Sequence, residues 1–241
     1  MIKFKTKIGD FNLATSYSDI TCREYKQMRD NPEDHISIVK ILTGLTEDKI
    51  VFLDLDEVAQ YLEFLKVPAL DSLEEDCFID YGTMKILPEK ISQCTYGQKI
   101  VATKYLLNND VEGVVATYLQ PVIFEAKFDS SKVEQIKDSL LGMKVSSVYS
   151  AGLYLINQLK EIVEREAELL KSEVTEQQKR AGIESFNVLG EFNTIDMIAK
   201  DYKYTHKEVE ELEYDLIFLI LYKNKLTSNF EKNYSEIMKE Q

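Results

Sequence analysis

Two histidines, three cysteines and a few acidic runs are the side chains from which chemistry would have to be built in this 241-residue chain. Histidine is the usual general acid–base group near neutral pH. His35 stands in Pro32-Glu33-Asp34-His35 and His206 directly follows Thr205, so both read as exposed residues at helix starts rather than as catalytic groups or ligands. Cys22, Cys77 and Cys94 are odd in number and form no CxxC, which suits buried or incidental thiols in a reducing compartment. Asp54-Leu55-Asp56-Glu57 offers carboxylates to a cation but lacks the glycine and the distal glutamate of a calcium loop. That run, Glu74-Glu75-Asp76, and Glu208 with Glu210-Glu211 read as charged helix ends and solvated faces. No GxGxxG, GxxxxGK[ST] or GxSxG occurs, so neither a phosphate cradle nor a serine elbow is expected. The expectation is a protein that is not an enzyme, with no catalytic, cofactor-binding or metal-binding residues. Carboxylates that pair only in space, among 42 Asp and Glu, keep an unrecognised enzyme site open as an alternative.

The overall charge narrows the partners. With 29 basic against 42 acidic residues the net charge is −13, so the average field repels a phosphate backbone and specific nucleic acid is not an expected partner. A hydrophobic content of 44% supplies a core of ordinary size. The opening MIKFKTKIGD has no apolar stretch behind its lysines and is not read as a signal peptide. The most apolar run, Leu216 to Tyr222, is far too short to span a bilayer, so no membrane is expected.

The elements that would position any site follow from periodicity. Ile2, Phe4 and Thr6 alternate with Lys3, Lys5 and Lys7, and Phe11 and Leu13 resume the alternation after Gly9-Asp10, which predicts a hairpin turning at Gly9-Asp10. Thr21 and Glu24 have capping-box spacing and predict a short helix ending before Pro32. From there to Pro68 the pattern is helical, through Ile36, Ile38, Val39, Ile41 and Leu42, a segment capped by Thr46, and Val58, Tyr61, Leu62 and Leu65. Phe78 to Leu87 around Gly82 predicts a second hairpin, and Thr95 with Gln98 repeats the capping box. Gly9 precedes Thr21 by about as much as Gly82 precedes Thr95, which suggests a duplicated hairpin-plus-helix unit whose hairpins join in one small sheet. Helical spacing continues over Val111–Leu119 and Ser131–Leu141, with Pro121 between them.

Beyond Val145 a long helix is predicted. Leu153, Lys160, Ala167, Val174 and Ala181 lie seven apart, as do Ile156, Val163, Leu170 and Gln177, a pattern that suits either a coiled coil or a helix lying along a domain. After Gly182 and Gly190 two further helices are expected, about Ile195–Lys200 and Lys207–Lys223, the second behind the Thr205/Glu208 box, with a polar, fraying tail from Lys232. The fold class is therefore α+β and predominantly α-helical, a helical bundle with a small sheet from two β-hairpins. Residues 1–145 form the hairpin-plus-helix part with its internal duplication, and residues 146–241 the long charged helix and the C-terminal helical segment.

Fourteen tyrosines and no tryptophan are the more informative composition, because tyrosine is frequent at protein interfaces. Tyr149, Tyr154, Tyr202, Tyr204, Tyr214 and Tyr222 are the candidates for a partner-binding surface. Asp19-Ile20-Thr21-x-x-Glu24-Tyr25 followed by Ile36–Leu45 resembles the opening of small morphogenesis proteins of tailed phages, notably crAss-like phages. The second hairpin, Thr95–Gln98 and Ala116–Pro121 continue that pattern. Ile198–Thr205 with Glu208–Glu211 is similar to tail assembly chaperones, although the tryptophan-rich stretch common before that segment is missing and the long charged helix looks like an insertion. The resemblance implies a non-catalytic virion protein with no cofactor, a structural or cargo component of the tail and portal region. Its partners would be other tail or portal proteins. It would be present in multiple copies, made in the bacterial host cytoplasm and carried in the tail interior. The alternative it implies is a tail assembly chaperone that binds tail proteins and is absent from the mature virion.

Overall fold

Capping boxes start three of the helices in the computed structural model, which describes residues 1–6, 9–54, 58–171 and 176–239. Thr21 opens α1 (Cys22–Asp30), Thr95 opens α3 (Tyr96–Leu107) and Thr205 opens α8 (His206–Glu211), each box complete in both directions. Between and around them lie β1 (Ile2–Thr6), β2 (Gly9–Leu13), α2 (His35–Thr43), β3 (Phe78–Asp80), β4 (Met84–Ile86), α4 (Val111–Phe124), α5 (Val133–Leu140), α6 (Val145–Leu169), α7 (Glu191–Tyr202) and α9 (Tyr214–Lys239). The predominantly helical α+β class with two small hairpins is the class observed.

The centre of the molecule is α4. Its residues Val111 to Gln120 are all buried, and α3, α5 and α6 pack around it. A helix without a polar face can exist only when enclosed in this way. Two glycines allow the neighbours to approach: a Cβ on Gly113 would sit 2.3 Å from the Tyr105 ring, and one on Gly152 of α6 would sit 2.3 Å from Cγ1 of Val111. One hydrophobic core runs from Phe11 to Ile220 and includes α6 along its length.

Helix starts also meet in pairs. Cys22 N–H donates to the Met143 carbonyl (2.9 Å) and Val145 N–H returns a bond to Ile20 (3.0 Å), so α1 and α6 begin against each other. Tyr96 N–H donates to Leu212 (2.7 Å) and Tyr214 N–H to Cys94 (2.9 Å), so α3 and α9 do the same. Each exchange is a short antiparallel bridge, Thr21 with Lys144 and Thr95 with Glu213. It satisfies first-turn N–H groups that a helix leaves without a partner.

Several expectations are corrected. The hairpins do not join: β1 pairs with β2 and β3 with β4, each as its own two-stranded sheet. The reason is that each is held by different helices, β2 by α2, and β3 and β4 by α6 and α4. Gly9-Asp10 does not form the expected turn but belongs to β2, paired with Thr6 and Lys5. Between Thr46 and Ser72 the described backbone breaks into single turns, including Glu47–Ile50, Glu63–Lys66 and Ala69–Ser72. The long helix ends at Leu169, so Ala181 is not part of it and Val174 lies outside the described residues. With nine buried residues on α6, the reading of a helix lying along the domain is the one observed for this element. The expected Lys207–Lys223 helix is two, because Leu212 and Glu213 are drawn into the bridge with Thr95. The chain beyond Lys232 is helical to Lys239.

Pro121 lies inside α4 instead of between helices. Proline has no N–H, so the carbonyl of Thr117 loses its usual helical donor. The buried Gln98 side chain supplies one: its Oε1 accepts from Thr95 N–H (3.1 Å), and its Nε2 donates to the Thr117 carbonyl across a long 3.5 Å. A glutamate closes the other two boxes, but only an amide can both accept and donate. Replacing Gln98 by Glu should therefore cost about 1–3 kcal/mol at neutral pH, read from urea midpoints. The matching Glu208→Gln change at the exposed third box should cost less than about 1 kcal/mol.

Candidate functional site

Where the starts and ends of α3, α6, α7 and α9 converge, charge enters the interior. Lys99 is almost wholly buried, and its Nζ lies 2.9 Å from Glu191 and 3.1 Å from Glu166. Glu191 also accepts the Tyr96 hydroxyl proton in a short hydrogen bond. Beside this cluster Arg165 pairs with Asp215 at 2.8 Å and stacks over the Phe218 ring at 4.3 Å, and Ser92 donates to the same carboxylate. Burial pulls the Lys99 ammonium down, but Glu191 and Glu166 more than offset it and the net shift is upward. Burial pushes Glu191 up, yet Lys99 and the Tyr96 hydroxyl outweigh it and hold the carboxylate below its usual range. A lysine that works as a nucleophile or base needs its pKa lowered. Lys99 moves the other way, and the chemistry available to the cluster is to tie four helices together.

A buried acid, Glu112, stands in the first turn of α4 and accepts the Tyr149 hydroxyl at 3.3 Å. Burial raises its carboxyl above the usual range and Asp110 adds to the rise, while its own backbone N–H, Arg29 and Tyr149 pull it back. A surface cleft of about 810 Å³ opens between α3, the α4–α5 connection and α8, with Lys127, Lys132 and Lys207 facing Glu210 and Glu211.

The residues singled out from sequence are scattered. His35 is exposed at the start of α2, and His206 is exposed with Nε2 3.4 Å from Asp196 and its ring edge-on to Phe192. Cys22 is buried, Cys77 and Cys94 are half-buried, and burial raises the thiols of Cys22 and Cys94, the latter to about 11. Asp54 is exposed, and Asp56 and Glu57 lie outside the described residues. Glu75 accepts from Asn157, Asp76 from the Phe78 N–H, and Glu211 pairs with Lys127. Among the described residues no group of three His, Cys, Asp or Glu could hold a metal ion, and no helix is long and apolar enough to cross a membrane.

The tyrosines do not form one surface. Tyr149 and Tyr214 are core residues, Tyr154 donates to the carbonyls of Pro88 and Glu89, and Tyr222 stacks on Phe218. Of these six, Tyr202 and Tyr204, stacked on each other, are the exposed ones. The apolar surface lies elsewhere, on α9. Its first half is seated in the core through Tyr214, Ile217 and Phe218, and Lys225 donates to the Leu169 carbonyl at the end of α6. From Leu226 to Lys239 every residue is exposed, a free stretch of about 21 Å. Leu216, Leu219, Leu226, Phe230, Tyr234 and Ile237 are all exposed, from 44% at Leu216 to 67% at Phe230. At 3.6 residues per turn these six fall within about a quarter of the helix circumference, opposite the buried face. Single exposed apolar residues are ordinary, but a continuous stripe marks an interaction site.

The chain matches no protein-family model, no curated protein and no solved structure. Its function is therefore argued from its own geometry.

Two measurements test the polar interior. Lys99→Met should cost about 2–3 kcal/mol, because it leaves two acids facing each other, and most of that loss should disappear in a Glu166→Gln/Glu191→Gln background. For Glu112 the native state binds the proton better than the unfolded chain does, so its contribution to stability is present at low pH and is lost as pH rises through the raised value. Glu112→Gln should therefore unfold at higher urea than the parent at pH 7.5, with the difference vanishing near about pH 4.

Proposed function

We propose that this chain is a non-catalytic, protein-binding component of a tailed-phage particle, a structural or cargo protein held in the tail and portal region. The observation that carries the binding role is the exposed apolar stripe on α9. It is a surface left uncovered by the described residues, presented on a helix whose other face is locked into the core. The non-catalytic part is supported by the commitments of the charges around Lys99, since Lys99 pairs with Glu166 and Glu191, and Arg165 with Asp215. The phage part rests on the resemblance of the Asp19–Tyr25, Ile36–Leu45, Thr95–Gln98 and Ala116–Pro121 segments to tailed-phage morphogenesis proteins. A net charge of −13 suits a protein that shares a chamber with DNA without binding it.

The same stripe also favours a second reading, the tail assembly chaperone, because a projecting apolar helix can cover a tail protein's own apolar surface until assembly. Mass spectrometry of purified particles separates the two. A virion component is present at stoichiometric level in intact particles, whereas a chaperone is found only with tail proteins in infected-cell extracts. Leu226→Glu/Phe230→Glu, on exposed positions of the stripe, should abolish retention in either setting while leaving the unfolding free energy within about 0.5 kcal/mol of the parent. Retention unchanged by this pair would remove α9 as the binding surface.

A further inference from the structure

The stripe on α9 has a finer pattern than exposure alone. Leu216, Leu219, Lys223, Leu226, Phe230, Asn233 and Ile237 are spaced alternately three and four apart, the a and d positions of a heptad repeat. All seven are exposed, so the seam is complete and uncovered over the length of the helix. Two of its members, Lys223 and Asn233, are polar, and such residues set register and orientation when a seam meets a partner.

We infer that the occupant of this seam is α9 of a second copy of the chain, paired antiparallel about a two-fold axis level with Ser228. This takes the binding role of the α9 face from the proposed function and names its partner. In an antiparallel pair each layer joins an a residue to a d residue of the other helix. Centred at Ser228, Leu219 meets Ile237, Leu226 meets Phe230, and Lys223 meets Asn233, with the same three layers repeated by symmetry. Apolar faces apolar and polar faces polar in all six. Shifting the centre by half a heptad toward the N-terminus sets Lys223 against Leu226 and Leu216 against Asn233. Shifting it the other way sets Asn233 against Phe230. A parallel pair in register would bring the two Lys223 ammonium groups into one layer, across an interhelical distance of about 8–10 Å. In the antiparallel pair they stand about 15 Å apart along the axis, beyond the reach of unscreened repulsion at physiological salt.

Charge and shape support the same partner. From Lys223 to Lys239 the helix carries four lysines against Glu231 and Glu236, a local net of +2 on a chain of −13, which leaves −15 for the remainder. Antiparallel pairing lays the basic, projecting half of one copy over the body-seated half of the other. The two copies use the same face, as a closed two-fold interface requires. The paired length from Leu219 to Ile237 is about 28 Å, and a single helix pair of that length buries less than a standard interface, so the dimer should be of micromolar strength.

Sedimentation equilibrium of the purified full-length chain tests the pairing, and cysteine crosslinking tests its direction. The parent should move from the 27.9 kDa monomer to twice that mass with a midpoint of about 10 μM, and Leu226→Glu/Phe230→Glu should stay monomeric throughout. An equimolar mixture of Leu219→Cys and Ile237→Cys should form a disulfide-linked dimer under mild oxidation, each variant alone should not, and the parent with its native cysteines serves as the baseline. A parent that remains monomeric to about 200 μM overturns the inference, as does a trimer or larger species, or crosslinking of either variant with itself. These results are independent of particle composition: a monomeric chain found in virions sinks the pairing and leaves the proposed function standing, and a dimeric chain absent from both particles and tail complexes does the reverse.

Discussion

Everything in this fold answers to the enclosure of α4. Ten consecutive buried residues on one helix leave no face for water, so other elements must supply cover on every side. They also satisfy several of the polar groups the helix carries inside, although the Tyr118 hydroxyl and Gln120 Nε2 have no hydrogen-bond partner among the described residues. Thr117 returns its hydroxyl to the Gly113 carbonyl, Gln120 accepts the Asp129 N–H, and Gln98 reaches the carbonyl that Pro121 leaves free. The two glycines at the crossings set how closely α3 and α6 approach, because the Tyr105 ring and the Val111 side chain occupy the volume a Cβ would need. Such contacts tolerate almost no added volume, since packed interiors are as dense as organic crystals.

The cover is organised by helix starts that meet in pairs. Twice the chain uses one device, in which a threonine-capped helix exchanges two backbone hydrogen bonds with the start of a long helix more than a hundred residues later in sequence. The boxes at Thr21 and Thr95 are local signals, three residues apart, and could be read directly. Their long-range partners at Lys144 and Glu213 could not, because neither carries a capping side chain and a backbone carbonyl leaves no trace in residue type. The same exchange recurs at both capped helices, while the two hairpins pack against different helices. The same distinction explains Pro121. Its lost donor predicts a break, and the helix continues only because Gln98, distant in sequence, stands opposite.

The exposed apolar face of α9 was less legible than the fold. Periodicity finds a helix by its single apolar face, and α9 has two, one buried through Tyr214, Ile217 and Phe218 and one exposed through Leu216 to Ile237. Two opposed faces blur into general hydrophobicity near Leu216–Tyr222. Further along, the lysines and glutamates between Phe230, Tyr234 and Ile237 make the segment read as a polar tail. Counting tyrosines does not single out a surface, because tyrosine is as much at home in a core as at an interface. Tyr149 and Tyr214 are core, and the exposed aromatic pair on the stripe is Phe230 with Tyr234.

A seam of apolar residues on a strongly acidic chain places two forces in opposition. Apolar burial draws copies or partners together and is almost indifferent to salt, whereas a charge of −13 on each molecule keeps them apart over about a Debye length. The lysines that flank the seam lessen this repulsion locally, where the surfaces meet, without reducing the overall charge that holds the protein in solution. Salt then shortens the range of the repulsion while leaving the apolar contact intact. Association through α9 should therefore tighten as ionic strength rises, the reverse of what a contact built on salt bridges would do.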